Sequence, residues 1–235
     1  MGTRHLICIW WKGQWVVAQY GQWDGYPEGQ GVAIFQFLTL PRNLENLKKG
    51  IEHHVYEPSP EELKAIQAEC DAWDENYRQQ RSNPSVMAWN FMDMTGIKQL
   101  YPSLTRDAAA KVLGLIARAA VTGEDEDEED GNKDNQDKKT VPLSFDLEFA
   151  NDAIFNEWTY VIDLDKEVLE IYGGSEAKHE NNRFKDVGDA NATVPRHICT
   201  FGFDDLLSMK TEDEFLRQIE VAREQEKGED LEDDG

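Results

Sequence analysis

Basic residues are scarce in this sequence. Of its 235 residues, 24 are Lys or Arg against 47 Asp or Glu, which gives a net charge of −23. Binding to nucleic acid or to anionic lipid usually depends on Lys and Arg that displace counterions from phosphate groups. We therefore expect no direct binding to nucleic acid and none to a membrane, and we expect the partner to be a protein or a small molecule. The oligomeric state stays open.

Cysteine and long apolar runs are scarce as well. The three cysteines, Cys8, Cys70 and Cys199, are odd in number and show no CxxC spacing, so neither a disulfide framework nor a zinc ribbon is predicted. The apolar run from Leu6 to Trp11 is shorter than the core of a signal peptide, and no secretion is expected. Together these features predict a protein of the cytoplasm or of the nucleus.

The motifs of common catalytic and cofactor sites are missing. The sequence has no GxGxxG loop, no P-loop with its Lys and Ser or Thr, no GxSxG turn and no paired HxxxH or CxxC spacing. Such motifs place phosphate-binding amides, a nucleophilic serine or metal ligands at fixed positions. We therefore expect no cofactor and no metal ion, and the sequence leaves open whether the protein is an enzyme.

Acidic residues are in excess, and two short segments carry about half of the net charge. Residues 123–139 hold nine acidic and three basic residues and residues 220–235 hold eight and two, so each segment has a net charge of −6. The first lacks aromatic and branched apolar residues, so it cannot offset the entropy lost on ordering. It is predicted to be a disordered acidic insert in a single globular domain, residues 1–219. The second is predicted to be an acidic tail that continues from the last helix.

The beginning of the chain has the pattern of a β-hairpin. Residues from His5 to Trp11 are apolar on both alternating faces, which is typical of a strand that is covered on both sides. Lys12-Gly13 supplies a tight turn, and the chain is predicted to return from Gln14 to Tyr20, with Trp15 on the face opposite Ala18.

Helical patterns follow the hairpin, and strand patterns return after the acidic insert. Ser59 is a good N-cap, with Pro60 at the first helical position, and the apolar stripe that follows predicts a helix with one buried face. A later helix is predicted from Thr105 to Gly123. The remaining predicted elements are strands at Leu143–Phe149, Trp158–Asp163, Val168–Tyr172 and Ile198–Phe203, and a helix at Thr211–Glu224.

This order of elements predicts the fold class. Hairpins pair neighbouring strands directly, and no regular alternation of strand and helix appears. We therefore predict an α+β fold, in which a mainly antiparallel sheet is covered by helices in a layered sandwich with an internal acidic disordered insert.

The segment from Trp23 to Gly31, with the sequence WDGYPEGQG, is the most unusual stretch. As a ligand site, its acidic side chains could act as an acid/base pair, its aromatic rings could stack on a ligand, and its free amides could bind an anion. As a structural corner, the same residues are ordinary turn chemistry. The candidate ligand-binding residues are Arg4, His5, Trp23, Asp24, Tyr26, Glu28, Gly29 and Gly31.

The opening Met1-Gly2-Thr3-Arg4 together with this segment resembles the start of an uncharacterised family of microbial and viral proteins. That family shares a (Trp/Phe)-Asp-Gly-Tyr-Pro-x-Gly-x-Gly signature, and the resemblance covers roughly residues 1–40. It implies a folding unit and no particular activity. Our first hypothesis is a non-catalytic interaction or regulatory protein with an acidic surface. The alternative is a small-ligand-binding protein or a hydrolase that uses the Trp23–Gly31 loop.

Overall fold

The structure is a computed structural model. It describes residues 2–81, 94–130, 140–189 and 193–232, and it gives the backbone alone for residues 80, 81, 123–130 and 226–232.

A five-stranded sheet forms the centre of the fold. The strands of the chain are β1 (His5–Trp11), β2 (Gln14–Gly21), β3 (Val55–Tyr56), β4 (Val141–Pro142), β5 (Trp158–Asp163), β6 (Val168–Gly173) and β7 (His197–Gly202). The order in the sheet is β2-β1-β5-β6-β7, and β3 pairs separately with β4. Within the sheet, β1 and β5 are parallel and every other neighbouring pair is antiparallel. This confirms the predicted mainly antiparallel sheet.

Helices make up much of the rest of the described chain. They are α1 (Val32–Thr39), α2 (Asn43–His53), α3 (Pro60–Arg81), α4 (Gly96–Leu100), α5 (Lys111–Asp130), α6 (Phe203–Ser208) and α7 (Glu212–Glu232). The predicted cap of α3 is confirmed, because the Glu62 N–H donates to Ser59 Oγ (3.2 Å) and the Ser59 N–H donates to the Glu62 carboxylate (2.8 Å). This reciprocal capping box satisfies two amides that the first helical turn leaves unpaired. The fold is α+β, as predicted.

The two faces of the sheet are covered differently. On one face, Ile7 and Ile9 of β1 pack with side chains from α1, α2, α5 and α7 in the larger core cluster. On the other face, Leu6 and Cys8 pack with Phe184, Val187 and Val194 and with side chains of the segment 147–151. We call these the helix face and the open face. Because both sets of β1 side chains are buried, the prediction of a strand covered on both sides is confirmed.

A β-bulge corrects the predicted facing of β2. Ile9 pairs with Val17 and Trp10 pairs with Trp15, so Val16 is an extra residue in β2. The bulge reverses the alternation of side chains. Trp15 therefore lies on the open face with Ala18, and not opposite it as the simple alternation predicted.

The predicted strand from Leu143 to Phe149 is wrong. Only Phe145 forms a bridge, to Ala18 of β2, and Leu147–Asn151 is a short 3-10 helix. The Asp146 carboxylate accepts hydrogen bonds from the Ser144 hydroxyl (2.8 Å) and from the Tyr20 N–H (3.3 Å). These two side-chain bonds, one to a neighbour in sequence and one to β2, take the place of a strand ladder at Asp146.

Both boundaries of α5 also differ from the prediction. α5 begins at Lys111 because Ala109 has a positive φ of 45°, which a helix running from Thr105 cannot contain. The helix continues through Gly123 to Asp130, since a glycine ends a helix only where it leaves the helical conformation. The first part of the predicted insert is thus helical, and residues 131–139 lie outside the described residues.

The apolar stripe of α3 is less buried than its spacing predicts. Cys70 is buried, but Leu63 is 44% exposed. Trp73 is half-buried and stacks on Tyr77, with ring centroids 5.0 Å apart. The prediction that this whole stripe faces the core is therefore wrong.

Candidate functional site

The predicted Trp23–Gly31 loop is a closed corner at the end of β2. Its backbone amides, which could have bound an anion, donate within the protein instead. The bonds run from Gly25 to the Thr3 carbonyl (3.1 Å), from Gly29 to Tyr26 (3.0 Å), from Gln30 to Asp24 (3.1 Å) and from Gly31 to Tyr26 (3.4 Å). The hydroxyl group of Tyr160, in β5, also donates to the Gly25 carbonyl (2.8 Å). These bonds fix the loop to itself, to Thr3 just before β1 and to Tyr160 of β5.

Close packing explains the glycines of this loop better than backbone conformation does. A Cβ on Gly29 would lie 2.3 Å from the Asp24 carbonyl oxygen. The left-handed residue of the loop is Asp24, with a φ of 56°, whereas neither Gly29 nor Gly31 has a positive φ. Glycine is thus required at position 29 because the backbone of Asp24 passes too close for a side chain.

His5 is sealed under the loop on the helix face. Its side chain is completely buried, and a Cβ on Gly21 would lie 2.2 Å from its Cε1 atom. Neither ring nitrogen makes a hydrogen bond of good geometry. Burial lowers the pKa of His5 to about 4, although the Thr3 backbone and the Asp24 carboxylate oppose part of this shift. His5 is therefore a neutral imidazole out of reach of solvent.

Other predicted site residues lie on the outside of this corner. Trp23 and Tyr26 are about half-exposed, and Glu28 is exposed. The Arg4 guanidinium lies 4.5 Å from the centroid of the Phe155 ring, away from the loop's hydrogen bonds. The structure thus brings His5, the backbone of Asp24 and the glycines together in one corner, while the side chains of Trp23, Asp24, Tyr26 and Glu28 are exposed.

A large cleft lies on the open face of the sheet, on the side opposite His5. Its volume is about 880 Å³, within the usual range for sites that hold drug-sized ligands. The turn between β1 and β2, the segment 145–149 and the segment 183–188 form its walls. Its lining residues are Trp10, Gly13, Gln14, Trp15, Phe145, Asp146, Leu147, Glu148, Phe149, Arg183, Asp186, Val187 and Gly188. We refer to it as the open-face cleft.

The aromatic rings of the cleft are held by their neighbours. Trp10 and Trp15 meet edge to face with centroids 5.0 Å apart, and Trp15 stacks on Phe184 at 5.2 Å. Phe149 meets Tyr20 edge to face at 4.8 Å. Phe145, which is 42% exposed, completes the wall. Rigid aromatic surfaces of this kind bind ligands with little loss of side-chain entropy.

An ion cluster supports the floor of the cleft. The Arg183 guanidinium contacts Asp163 Oδ2 (2.5 Å) and both oxygens of Glu170 (2.5 and 2.7 Å). The Tyr172 hydroxyl donates to the same Glu170 carboxylate (2.7 Å). Burial, followed by the Glu170 charge, raises the pKa of Tyr172. The pKa of Arg183 is raised because hydrogen bonds to Glu170 and Asp163 outweigh the opposing effect of its burial.

The cluster also fixes neighbouring chain segments. Asp163 Oδ1 accepts the N–H groups of Asp165 (3.0 Å) and Lys166 (2.9 Å) in the β5–β6 turn. The Arg183 guanidinium lies 5.6 and 5.7 Å from the ring centroids of Trp10 and Trp15. Asp163 and Glu170 therefore hold Arg183 against the two tryptophans, and the floor of the cleft is preorganised.

Sequence reasoning missed this cleft, although one signal for it was present. Glu170 lies inside the apolar run of β6 and Asp163 ends the apolar run of β5. A carboxylate in a buried strand needs a cation or hydrogen-bond donors. The partner, Arg183, lies in a turn-rich segment with no apolar period, so only the fold shows which cation it is.

We compared the chain with models of known protein families, with curated protein sequences and with solved structures. None of the three comparisons finds a match.

In the part of the chain that the structure describes, no group of three or more His, Cys, Asp or Glu side chains is placed to hold a metal ion. None of its helices combines the length and the apolar character that crossing a bilayer requires.

Proposed function

We propose that the protein is a non-catalytic binding protein and that its partner binds in the open-face cleft. The observation that carries this proposal is a cleft of about 880 Å³ with aromatic walls and a polar floor. Binding sites typically combine a concave, largely aromatic surface with a few fixed polar groups. The interlocked rings and the clamped Arg183 supply both features.

The arrangement of the ionisable groups supports binding more than catalysis. A general acid or base must reach the substrate proton. Asp163 and Glu170 are buried in ion pairs beneath the cleft floor. The carboxylates that do line the cleft, those of Asp146, Glu148 and Asp186, stand among lining residues that include no His, Cys, Ser, Thr, Lys or Tyr to serve as nucleophile or second proton-transfer group. His5 and Tyr160 are completely buried under the loop on the other face. The alternative function, a hydrolase or ligand-binding protein that uses the Trp23–Gly31 loop, would need the loop to open and release the bonds that close it.

The test measures the binding of a neutral aromatic probe, 2-naphthol, to the full chain. Binding is followed by NMR through the indole N–H resonances of Trp10 and Trp15. The Phe145→Ala variant should weaken binding by about two- to tenfold, because an aromatic contact contributes about 0.5–1.5 kcal/mol. The matched control is Phe155→Ala, since Phe155 is similarly exposed (46% against 42%) but does not line the cleft.

Three outcomes would contradict the proposal. The probe could leave both indole resonances unchanged, it could bind while moving only resonances of the Trp23–Gly31 loop, or the two alanine variants could bind it equally well. Loss of affinity in Phe145→Ala alone, with an unchanged unfolding midpoint, supports the proposal.

A further inference from the structure

We infer that the group bound in the open-face cleft is a cation, specifically the side chain of an arginine or lysine presented by a protein partner. This inference rests on the proposed function, because it identifies the class of partner for the same cleft. Three features of the cleft support it: its charge, its aromatic walls and its size.

Negative charge dominates the cleft lining. Asp146, Glu148 and Asp186 line it, together with a single basic residue, Arg183. The charge of Arg183 is already balanced, since the guanidinium contacts two carboxylates, those of Asp163 and Glu170. An anionic ligand would therefore meet a net negative surface, whereas a cationic ligand meets an attractive one.

Two neighbouring lysines do not reverse this balance. The Lys178 ammonium group donates to the main-chain carbonyls of Val187 (3.1 Å) and Asp189 (2.7 Å), and its single positive charge does not offset the three acidic residues of the lining. Lys185 stands next to Asp186 in the sequence, but its ammonium group forms an ion pair with Glu180 at 2.7 Å. Glu148 and Asp186 are both exposed, so both can meet a cation that enters from solvent.

The aromatic walls favour the same class of ligand. Aromatic ring faces attract cations, and ammonium or guanidinium groups are commonly recognised by several rings together. Trp10 and Trp15 already pack around a guanidinium, that of Arg183. Phe145 and Phe149 extend this aromatic surface to the exposed side of the cleft.

Size and overall charge point to a protein side chain rather than a free ammonium compound. A volume of about 880 Å³ accommodates a drug-sized ligand, so it has room for a long side chain and the backbone on either side of it. The net charge of −23 also extends the attraction beyond the cleft, which speeds association with a basic protein surface.

The experiment compares two blocked pentapeptides, Ac-Gly-Gly-Arg-Gly-Gly-amide and the same peptide with citrulline in place of arginine. Citrulline keeps the length and planarity of the arginine side chain but is neutral. At low ionic strength the arginine peptide should bind about tenfold more tightly or better, in line with a cation–π contact assisted by carboxylates. Added salt should reduce this ratio because it screens the exposed charges. The readout is again the pair of indole N–H resonances, those of Trp10 and Trp15.

Charge-matched variants show whether the preference arises in the cleft. The double variant Glu148→Gln/Asp186→Asn should lose most of the preference for arginine over citrulline. The control double variant, Asp204→Asn/Glu220→Gln, changes the net charge equally at exposed positions of α6 and α7, and it should keep the preference. Unfolding midpoints of both variants establish that they are folded.

Several results would overturn the inference. Equal binding of the arginine and citrulline peptides at the cleft would refute a cation preference while leaving the proposed function intact. Tighter binding of a glutamate peptide would also refute it. Choline binding as tightly as the arginine peptide would exclude the assignment to a protein side chain. An arginine peptide that binds without shifting either indole resonance would refute both the inference and the proposed site.

Discussion

Replacing Arg183 with methionine would remove the cation from the cluster beneath the cleft and leave its two carboxylates unpaired. Asp163 is completely buried and Glu170 is 8% exposed, so water cannot replace the lost partner. Breaking a buried ion pair in this way costs about 3–5 kcal/mol, whereas loss of an exposed pair costs about 0–1 kcal/mol. We therefore expect Arg183→Met to lower the free energy of unfolding by about 3–5 kcal/mol.

Urea denaturation followed by circular dichroism measures this loss. Lys185→Met is the matched control, because Lys185 lies in the same segment and also pairs with a glutamate, but Glu180 is 92% exposed. That variant should change the free energy of unfolding by less than about 1 kcal/mol. Arg183→Lys should recover only part of the loss, since an ammonium group cannot bond both carboxylates with the geometry of a guanidinium. If Arg183→Met and Lys185→Met had equal small effects, the cluster could not be what organises the cleft floor.

Two further predictions concern the pH dependence caused by the buried His5 and the opposite effects of alanine at Gly29 and at Gly114. The pKa of His5 is lowered to about 4 in the folded protein, so as the pH falls the His5 side chain is protonated in the unfolded state before it is protonated in the folded state. The free energy of unfolding should therefore fall as the pH drops from about 6.5 towards about 4. Between pH 7 and pH 5 the wild type should lose about 2 kcal/mol more than His5→Asn, and equal slopes in the two proteins would refute the burial of a neutral imidazole. Gly29→Ala should destabilise the protein by more than about 1 kcal/mol, because the added Cβ would collide with the Asp24 carbonyl oxygen. Gly114→Ala should instead stabilise α5 by up to about 1 kcal/mol, because the added Cβ meets open space and alanine favours a helix more than glycine does. Chemical denaturation of both variants checks this pair, and a stable Gly29→Ala protein would contradict the close packing of the loop.

Local sequence signals predicted the parts of the fold that depend on neighbouring residues. The two-sided apolar pattern of β1 identified an interior strand, and Ser59 marked the start of α3 through its capping box. In both cases the predictive signal lies within one element, although the side chains that bury β1 come from distant parts of the chain. The fold class followed from the order of such elements.

The features that local patterns could not predict depend on distant contacts. The bulge at Val16, which turns Trp15 to the open face, depends on the pairing of β1 with β2. The residues around Phe145 alternate between apolar and polar, as in a strand. The hydrogen bonds of Asp146 to Tyr20 and Ser144 instead hold this segment as a wall of the cleft. Arg183 meets Asp163 across 20 positions of sequence, so the cleft exists only after the sheet has formed.

The most direct test of the account is a map of backbone amide shifts when the arginine pentapeptide is added to the labelled full chain. The two faces of the sheet give separate predictions, because the open-face cleft and the Trp23–Gly31 loop lie on opposite sides of β1. We predict that the shifts concentrate at residues 10–15, 145–149 and 183–188. Shifts concentrated at residues 23–31 would contradict it and would place the binding site in the loop instead.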